Sequence, residues 1–347
     1  MVELDSPAAL EAYLADAGFF TASGIVADVF LAYRLGEKLG RTAAPSPPEP
    51  CPLPLVACRI RSEAEQPRPR GAFAAGEWDR SWDDVGYAGA ISAAQAAIGR
   101  GDVYQVNLVQ HLSAPFAGDA AALAGRLAPL RPLVPRPLEG DGWTIVSASP
   151  ELFLARRGRR LWTMPIKGTL PLGAEAAALS ESAKDRAEHV MIVDLERNDL
   201  SRVCEAGSVR WPELAVARPL AGVLHLVSTV EGRVRANAGL ADILSATFPG
   251  GSITGAPKIA AIDHIAALEP VGRGASMGAL GTIRPNGDFD LALTIRTFAV
   301  ADGRVHVWVG GGIVWDSEAE AEIEESWIKL RPLLAAIGAP LAEAALR

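Results

Sequence analysis

Between residues 276 and 309 an alternating apolar run is punctuated by two tight-turn signals, Pro285-Asn286-Gly287 and Asp302-Gly303. Asn-Gly and Asp-Gly supply the positive φ values that a two-residue hairpin needs, so this stretch commits the chain to antiparallel strands. The pattern predicts strands over 276–283, 291–300 and 304–309. In the middle strand Leu291, Leu293 and Ile295 share one face and Thr294 and Arg296 the other. Further strand patterns fall at 103–108, 144–149, 152–155 and 223–230, with one more just before Lys167. Helical spacing is found at 86–100, from Ser180 onward, after a glycine-rich loop at 248–258, and from about Ser317. Many antiparallel strands with few helices between them predict an α+β fold, with large mainly antiparallel sheets packed by surrounding helices. They argue against a doubly wound parallel sheet.

The chain has 347 residues, 49% of them hydrophobic, enough for a sizeable core. Its 33 basic and 41 acidic residues give a net charge of -8, which argues against a nucleic-acid surface. An anionic ligand must then be held by cations placed locally. No apolar run reaches the roughly 18 residues needed to span a bilayer, and the start carries no basic leader pattern, so the reading is a cytoplasmic protein without a membrane partner. Cys51, Cys58 and Cys204 form neither a disulfide framework nor a metal-ligand pair. Six prolines between Pro45 and Pro54 exclude helix and central strand and mark an extended connector. Residues 1–83 are accordingly read as an N-terminal region packed on a main domain at 84–338.

Several residues could carry chemistry. Lys167 stands in Met164-Pro165-Ile166-Lys167-Gly168-Thr169, where proline and glycine constrain the backbone on both sides. A lysine amine at its ordinary pKa of about 10.4 is almost wholly protonated at pH 7, so a nucleophilic lysine needs burial or a nearby cation. On the hexapeptide alone a turn lysine is the commoner case. Glu151, entering a strand after Pro150, suits a general acid, because a carboxyl in a sheet interior has its pKa raised. His225 lies in an apolar strand, where a core histidine is more common than a catalytic one. Asp185 with Glu188, and Glu322 with Glu325, each place two carboxylates one helical turn apart, a donor set that suits Mg²⁺ if the side chains are not simply solvated. Arg296 and Lys329 could grip a substrate carboxylate or serve structural ion pairs. Thr254 reads as the cap of the helix after the glycine-rich loop, with Pro257 in its first turn. That loop lacks the spacing of a Walker phosphate loop.

Taken together, GDVYQVNL (101–108), SPELF (149–153), PIKGT (165–169), EHVMIVDLERND (188–199), HLVSTVE (225–231), FPGGSITGAPK (248–258), IRT (295–297) and GGGIVWDSEAEAEIEE (310–325) follow one order and wording. The sequence resembles the chorismate-utilising enzymes over residues 84–338, and most of all the branch that makes 4-amino-4-deoxychorismate. The resemblance implies that fold and that activity, with Mg²⁺ on Glu188 and Glu325 and with Glu322 and Asp185 nearby. It implies Lys167 as nucleophile at C2, Glu151 as acid, His225 as an active-site histidine, and Gln105, Gly168, Thr169, Arg296, Gly311, Gly312 and Lys329 as substrate contacts. Ammonia would come from a separate glutamine amidotransferase subunit, the product serving para-aminobenzoate and folate synthesis. Isochorismate- and salicylate-forming members carry a lysine base where this chain has Gln105. Anthranilate-forming members carry alanine where it has Lys167. The N-terminal region is shorter than in the long members, so their tryptophan pocket does not map onto it. Anthranilate formation and a catalytically silent chorismate-binding subunit are the alternatives.

Overall fold

The computed structural model describes residues 1–42, 44–171, 183–220 and 223–339. With strands numbered along the chain, a ten-stranded antiparallel sheet runs in spatial order β1 (Val2–Leu4), β3 (Val56–Ser62), β2 (Ile25–Leu31), β15 (Ala279–Ile283), β16 (Phe289–Leu293), β9 (Leu152–Arg157), β10 (Arg160–Met164), β13 (Val223–Arg233) and β11 (Ile166–Pro171), with β12 (Arg210–Leu220) also paired to β13. An eight-stranded sheet runs β14 (Gly255–Ala256), β6 (Gln105–Gly118), β18 (Arg304–Ile313), β17 (Thr297–Ala301), β8 (Trp143–Ser147) and β7 (Leu138–Glu139), with β4 (Phe73–Ala75) and β5 (Asp79–Arg80) on β6. The principal helices are α1 (Pro7–Asp16), α2 (Asp84–Arg100), α3 (Ala183–Ser201), α4 (Leu240–Thr247), α5 (Lys258–Leu268) and α6 (Ala319–Ala336). The α+β reading is met. The connector prolines lead from β2 to β3, and these two strands pair with each other and, through β2, with β15.

Local chemistry explains the element ends. Asp83 caps α2 by accepting from the Gly86 N–H at 2.7 Å, and Gly101 ends it in the left-handed region at φ 82°. Alternation in β18 sends Val305, Val307 and Val309 to a cluster with Trp327, Leu330, Leu333 and Leu334 of α6. Trp308, between them, joins a second cluster that takes Val29, Phe153 and Leu291 from the first sheet and Val106, Leu108 and Ile145 from the second. That shared core seats the two sheets against each other.

Three sequence expectations need correction. The stretch 291–300 is two strands: β16 lies in the first sheet, β17 in the second, and the chain crosses at Thr294–Arg296. Thr294 Oγ1 accepts from the Gly278 N–H at 2.7 Å and Arg296 adopts φ 50°, which breaks the alternation expected of one strand. The first strand of the meander begins only at Ala279, after Met277 at φ 60°. Thr254 does not cap α5: it closes the C-terminal end of the turn Gly251–Ile253, its hydroxyl turns back to the carbonyls of Gly250 and Gly251, and Pro257 holds the N-cap position of α5. Ser180, expected to start α3, lies outside the described residues.

One polar pair sits inside this core. Arg273 and Glu269, each with 2% of its side chain exposed, pair at 2.7 Å and also bind the Asn107 and Ile253 carbonyls and the Val109 N–H. Breaking such a pair strands a buried charge, so Glu269→Gln is expected to cost about 3 kcal/mol of unfolding free energy. Chemical denaturation checks this, and an unchanged midpoint would mean that Arg273 finds another partner.

Candidate active site

Two crossovers between the sheets lie side by side, and the site is built on them. One carries β8 into β9 through Ala148–Glu151; the other carries β16 into β17 through Thr294–Arg296. They are tied by Ala148 N–H to Arg296 O at 2.9 Å, Leu293 N–H to Glu151 O at 3.0 Å, and the Ser147–Thr297 hydroxyl pair at 2.8 Å. Glu151 and Arg296 are thereby delivered to the same cavity, about 430 Å³ in volume. That size falls within the roughly 300–1,000 Å³ usual for small-molecule sites.

Lys167 enters from β11. Its partner across the ladder is Leu226, and the register slips immediately after it, where Gly168 takes φ 64°. The slip lets the Gly168 carbonyl accept from His225 Nδ1 at 2.7 Å, which makes Nδ1 the protonated nitrogen and leaves the Nε2 lone pair on the other side of the ring. Burial pushes the His225 pKa down, the Gly168 bond opposing it, so the ring is neutral near pH 7. Lys167 Nζ lies 3.8 Å from Glu188 Oε2 of α3, each side chain 14% exposed.

Glu151 is buried, and Oε1 accepts from Ser252 Oγ at 2.8 Å and from the Ile166 N–H at 3.4 Å. Burial pushes its pKa up; the Ser252 bond, Lys167, the Ile166 N–H and Arg296 oppose this without cancelling it. The two charges work on Glu151 in one direction, and Arg296 is itself lowered by burial, with Glu151 resisting.

The far wall is acidic and basic at once. Glu322 and Glu325 of α6 line the cavity with Lys329, whose ammonium pairs with Glu325 at 2.7 Å and donates to the Gly310 carbonyl at 2.9 Å. Ser317 Oγ donates to Glu322 Oε1 at 2.7 Å. A Cβ on Gly311 would stand 3.3 Å from Glu322 Oε2, 3.6 Å from Lys329 Nζ and 3.7 Å from Glu325 Oε1, so the bare glycine is where these head groups converge. Hard carboxylate donors from α3 and α6 around one cavity fit Mg²⁺, which takes one or two carboxylates and completes its shell with water and substrate oxygens. Among the described residues no cluster of three or more acidic, histidine or cysteine ligands forms a cage by itself.

Lys167, Glu151, His225, Gly168, Arg296, Gly311, Gly312, Lys329, Glu188, Glu322 and Glu325 all line the one cavity. Gln105 does not: it is buried behind Gly312, where an added Cβ would come 2.1 Å from its Nε2, and among the described residues neither amide atom has a hydrogen-bond partner. The side chains of Thr169 and Asp185 lie outside the described residues. The sequence reading missed Ser252 as a partner of Glu151, and missed the supports beneath it. Only the wording of the glycine-rich loop pointed there.

The model of the chorismate binding enzyme family matches residues 25–335, most of the chain. The chain belongs to the chorismate-binding enzymes. Within this family it is 44% identical over 252 residues to aminodeoxychorismate synthase component 1 of Klebsiella aerogenes, covering 69% of this chain and 55% of that protein. It is 42% identical over 271 residues to anthranilate synthase component 1 of Thermus thermophilus, covering 75% and 58%. The chain thus spans little more than half the length of these relatives. Anthranilate synthase component I from Streptococcus pneumoniae superposes with a TM-score of 0.78 at 26% identity, covering 90% of this chain and 80% of that one. The menaquinone-specific isochorismate synthase of Escherichia coli, at 17% identity and a TM-score of 0.75, shares the fold, as expected of chorismate-binding enzymes. Among the described residues no helix is long and apolar enough to cross a membrane.

Proposed function

We propose that this chorismate-binding enzyme converts chorismate and ammonia to 4-amino-4-deoxychorismate and water. The observation that carries the reading is the placement of Lys167 in the same cavity as the buried acid Glu151, since an acid and an amine together have no use in a site that only binds. Arg296 and Lys329 supply the cations that a substrate with two carboxylates requires. In the proposed reaction the lone pair of Lys167 Nζ forms a bond to C2 while the diene electrons shift and the C4–O bond breaks. Glu151 gives its proton to the departing hydroxyl, which leaves as water. Ammonia then forms the C4–N bond, the electrons shift back, Lys167 leaves C2 with its electron pair, and the Glu151 carboxylate takes back a proton from the new C4 ammonium. Bound Mg²⁺, held by Glu188 and Glu325 with Glu322 beside them, would neutralise the ring carboxylate and draw electron density from the diene. A glutamine amidotransferase partner would supply the ammonia, and the product would feed para-aminobenzoate and folate synthesis.

The deciding experiment incubates the protein with chorismate, Mg²⁺ and ammonium, with and without aminodeoxychorismate lyase. Para-aminobenzoate appearing only with lyase supports the reading. Anthranilate without lyase would replace it with the reaction in the name of the Thermus relative, and no loss of chorismate with any nitrogen source would leave a binding subunit. Chelation is expected to stop turnover and Mg²⁺ to restore it. Glu188→Gln is expected to raise the Mg²⁺ needed for half-maximal rate by about tenfold or more. An unchanged requirement would remove Glu188 from the metal site.

A further inference from the structure

We infer that Ser252 is a positioning residue that fixes which oxygen of Glu151 carries the acidic proton. Resting on the reaction proposed above, this inference names how its acid is aimed. Among the described residues the two donors that reach Glu151, Ser252 Oγ–H and the Ile166 N–H, both fall on Oε1. An oxygen that accepts twice is the carbonyl oxygen of a neutral carboxyl, so the proton is carried on Oε2. Proton transfer breaks the Oε2–H bond as C4–O breaks, and the carboxylate left behind is held at Oε1 by the same two donors.

Ser252 is 8% exposed and sits in the turn Gly251–Ile253, which is anchored from below. Glu196 of α3 accepts from the Gly251 N–H at 2.9 Å. A Cβ on Gly251 would stand 2.8 Å from Leu195 Cδ2 and 2.9 Å from Glu196 Oε1, so only glycine lets the turn come this close. Lys258 holds the other end, donating to the Pro249 carbonyl at 2.6 Å and the Thr247 carbonyl at 3.1 Å while paired with Asp199. A loop pinned at both ends presents a hydroxyl at fixed range. Lys167, Arg296 and Glu196 are the charged or titratable groups acting on Glu151 from the surrounding elements, and none of them bonds to Oε1.

The test is Ser252→Ala, read in two ways. Losing a donor to the carboxylate disfavours the charged form, so the basic limb of the kcat profile is expected to move up by about one pH unit, with kcat down about tenfold and KM little changed. Independently of turnover, the Glu151 side-chain carboxyl, ¹³C-labelled and assigned with Glu151→Gln, is expected to titrate higher by the same amount. Ser252→Thr, which keeps the hydroxyl, should restore both. If the alanine variant does not fold, Ser252→Cys keeps a weaker donor in the same space and should move both in the same direction by less. A lower melting temperature with an unmoved carboxyl titration would make Ser252 a structural residue only. Wild-type protein that fails to consume chorismate would overturn the proposed reaction, and the carboxyl titration would still decide the role of Ser252.

Discussion

Lys167→Ala is expected to lower kcat for chorismate amination at C4 on the order of 10³-fold or more, because it removes the group proposed to open the diene. The side chain is 14% exposed and lies against Glu188 at 3.8 Å, so its loss leaves a small space at the cavity wall and no broken core. Stability should therefore change little, and KM should change less than kcat. Residual product is expected to carry nitrogen at C2, the carbon that Lys167 would otherwise occupy. Mass spectrometry of the wild-type protein mixed with chorismate in the absence of ammonia should detect an adduct on Lys167. A variant with full activity at C4 would end the covalent role. A large loss of activity without any wild-type adduct would assign Lys167 to electrostatic stabilisation of the substrate carboxylate or the departing hydroxyl.

The sequence made the strands legible where turn chemistry punctuates them, and silent where the chain changes sheets. Pro285-Asn286-Gly287 and Asp302-Gly303 marked real hairpins because their φ values are written into residue type. Nothing comparable marks Thr294–Arg296: Leu291 and Leu293 of one sheet stand at odd positions and Phe298 and Val300 of the other at even ones, and such a change of phase, which a bulge would also produce, does not record a change of sheet. The pairing of β2 with β15 joins residues some 250 positions apart, which no local pattern encodes. At the site, the described residues named by motif wording reached one cavity, Gln105 excepted. Those reached only through a neighbour did not announce themselves. Glu196, on a helix and next to Arg197, reads as a solvated surface residue, yet it is 3% exposed and burial pushes its pKa up to about 7. Gln105 was legible as part of its motif, but its place behind Gly312 depends on β18 lying against β6.

Glu151→Gln separates what this site costs the fold from what it does. Burial is the largest influence on the Glu151 carboxyl and its pKa is raised, so the neutral form is favoured in the folded chain relative to the unfolded one. Stability associated with that neutral form is fully present below the unfolded carboxyl pKa of about 4.3 and is lost as pH rises through the folded value. The amide cannot ionise and still offers an oxygen to Ser252 Oγ at the position where 2.8 Å now separates the partners. The variant is therefore expected to melt at or above the wild-type temperature at pH 8, with the difference disappearing below about pH 4. Activity should move the other way, because the carboxamide has no acidic proton to give: kcat is expected to fall about 10²- to 10⁴-fold, the range typical of a lost general acid. The wild-type rate should itself decline as pH rises through the raised pKa, and the variant's residual rate should lack that limb. A variant both less stable at pH 8 and still following the wild-type profile would show that Glu151 is held ionised, in which case the proton for the departing hydroxyl comes from elsewhere in the cavity.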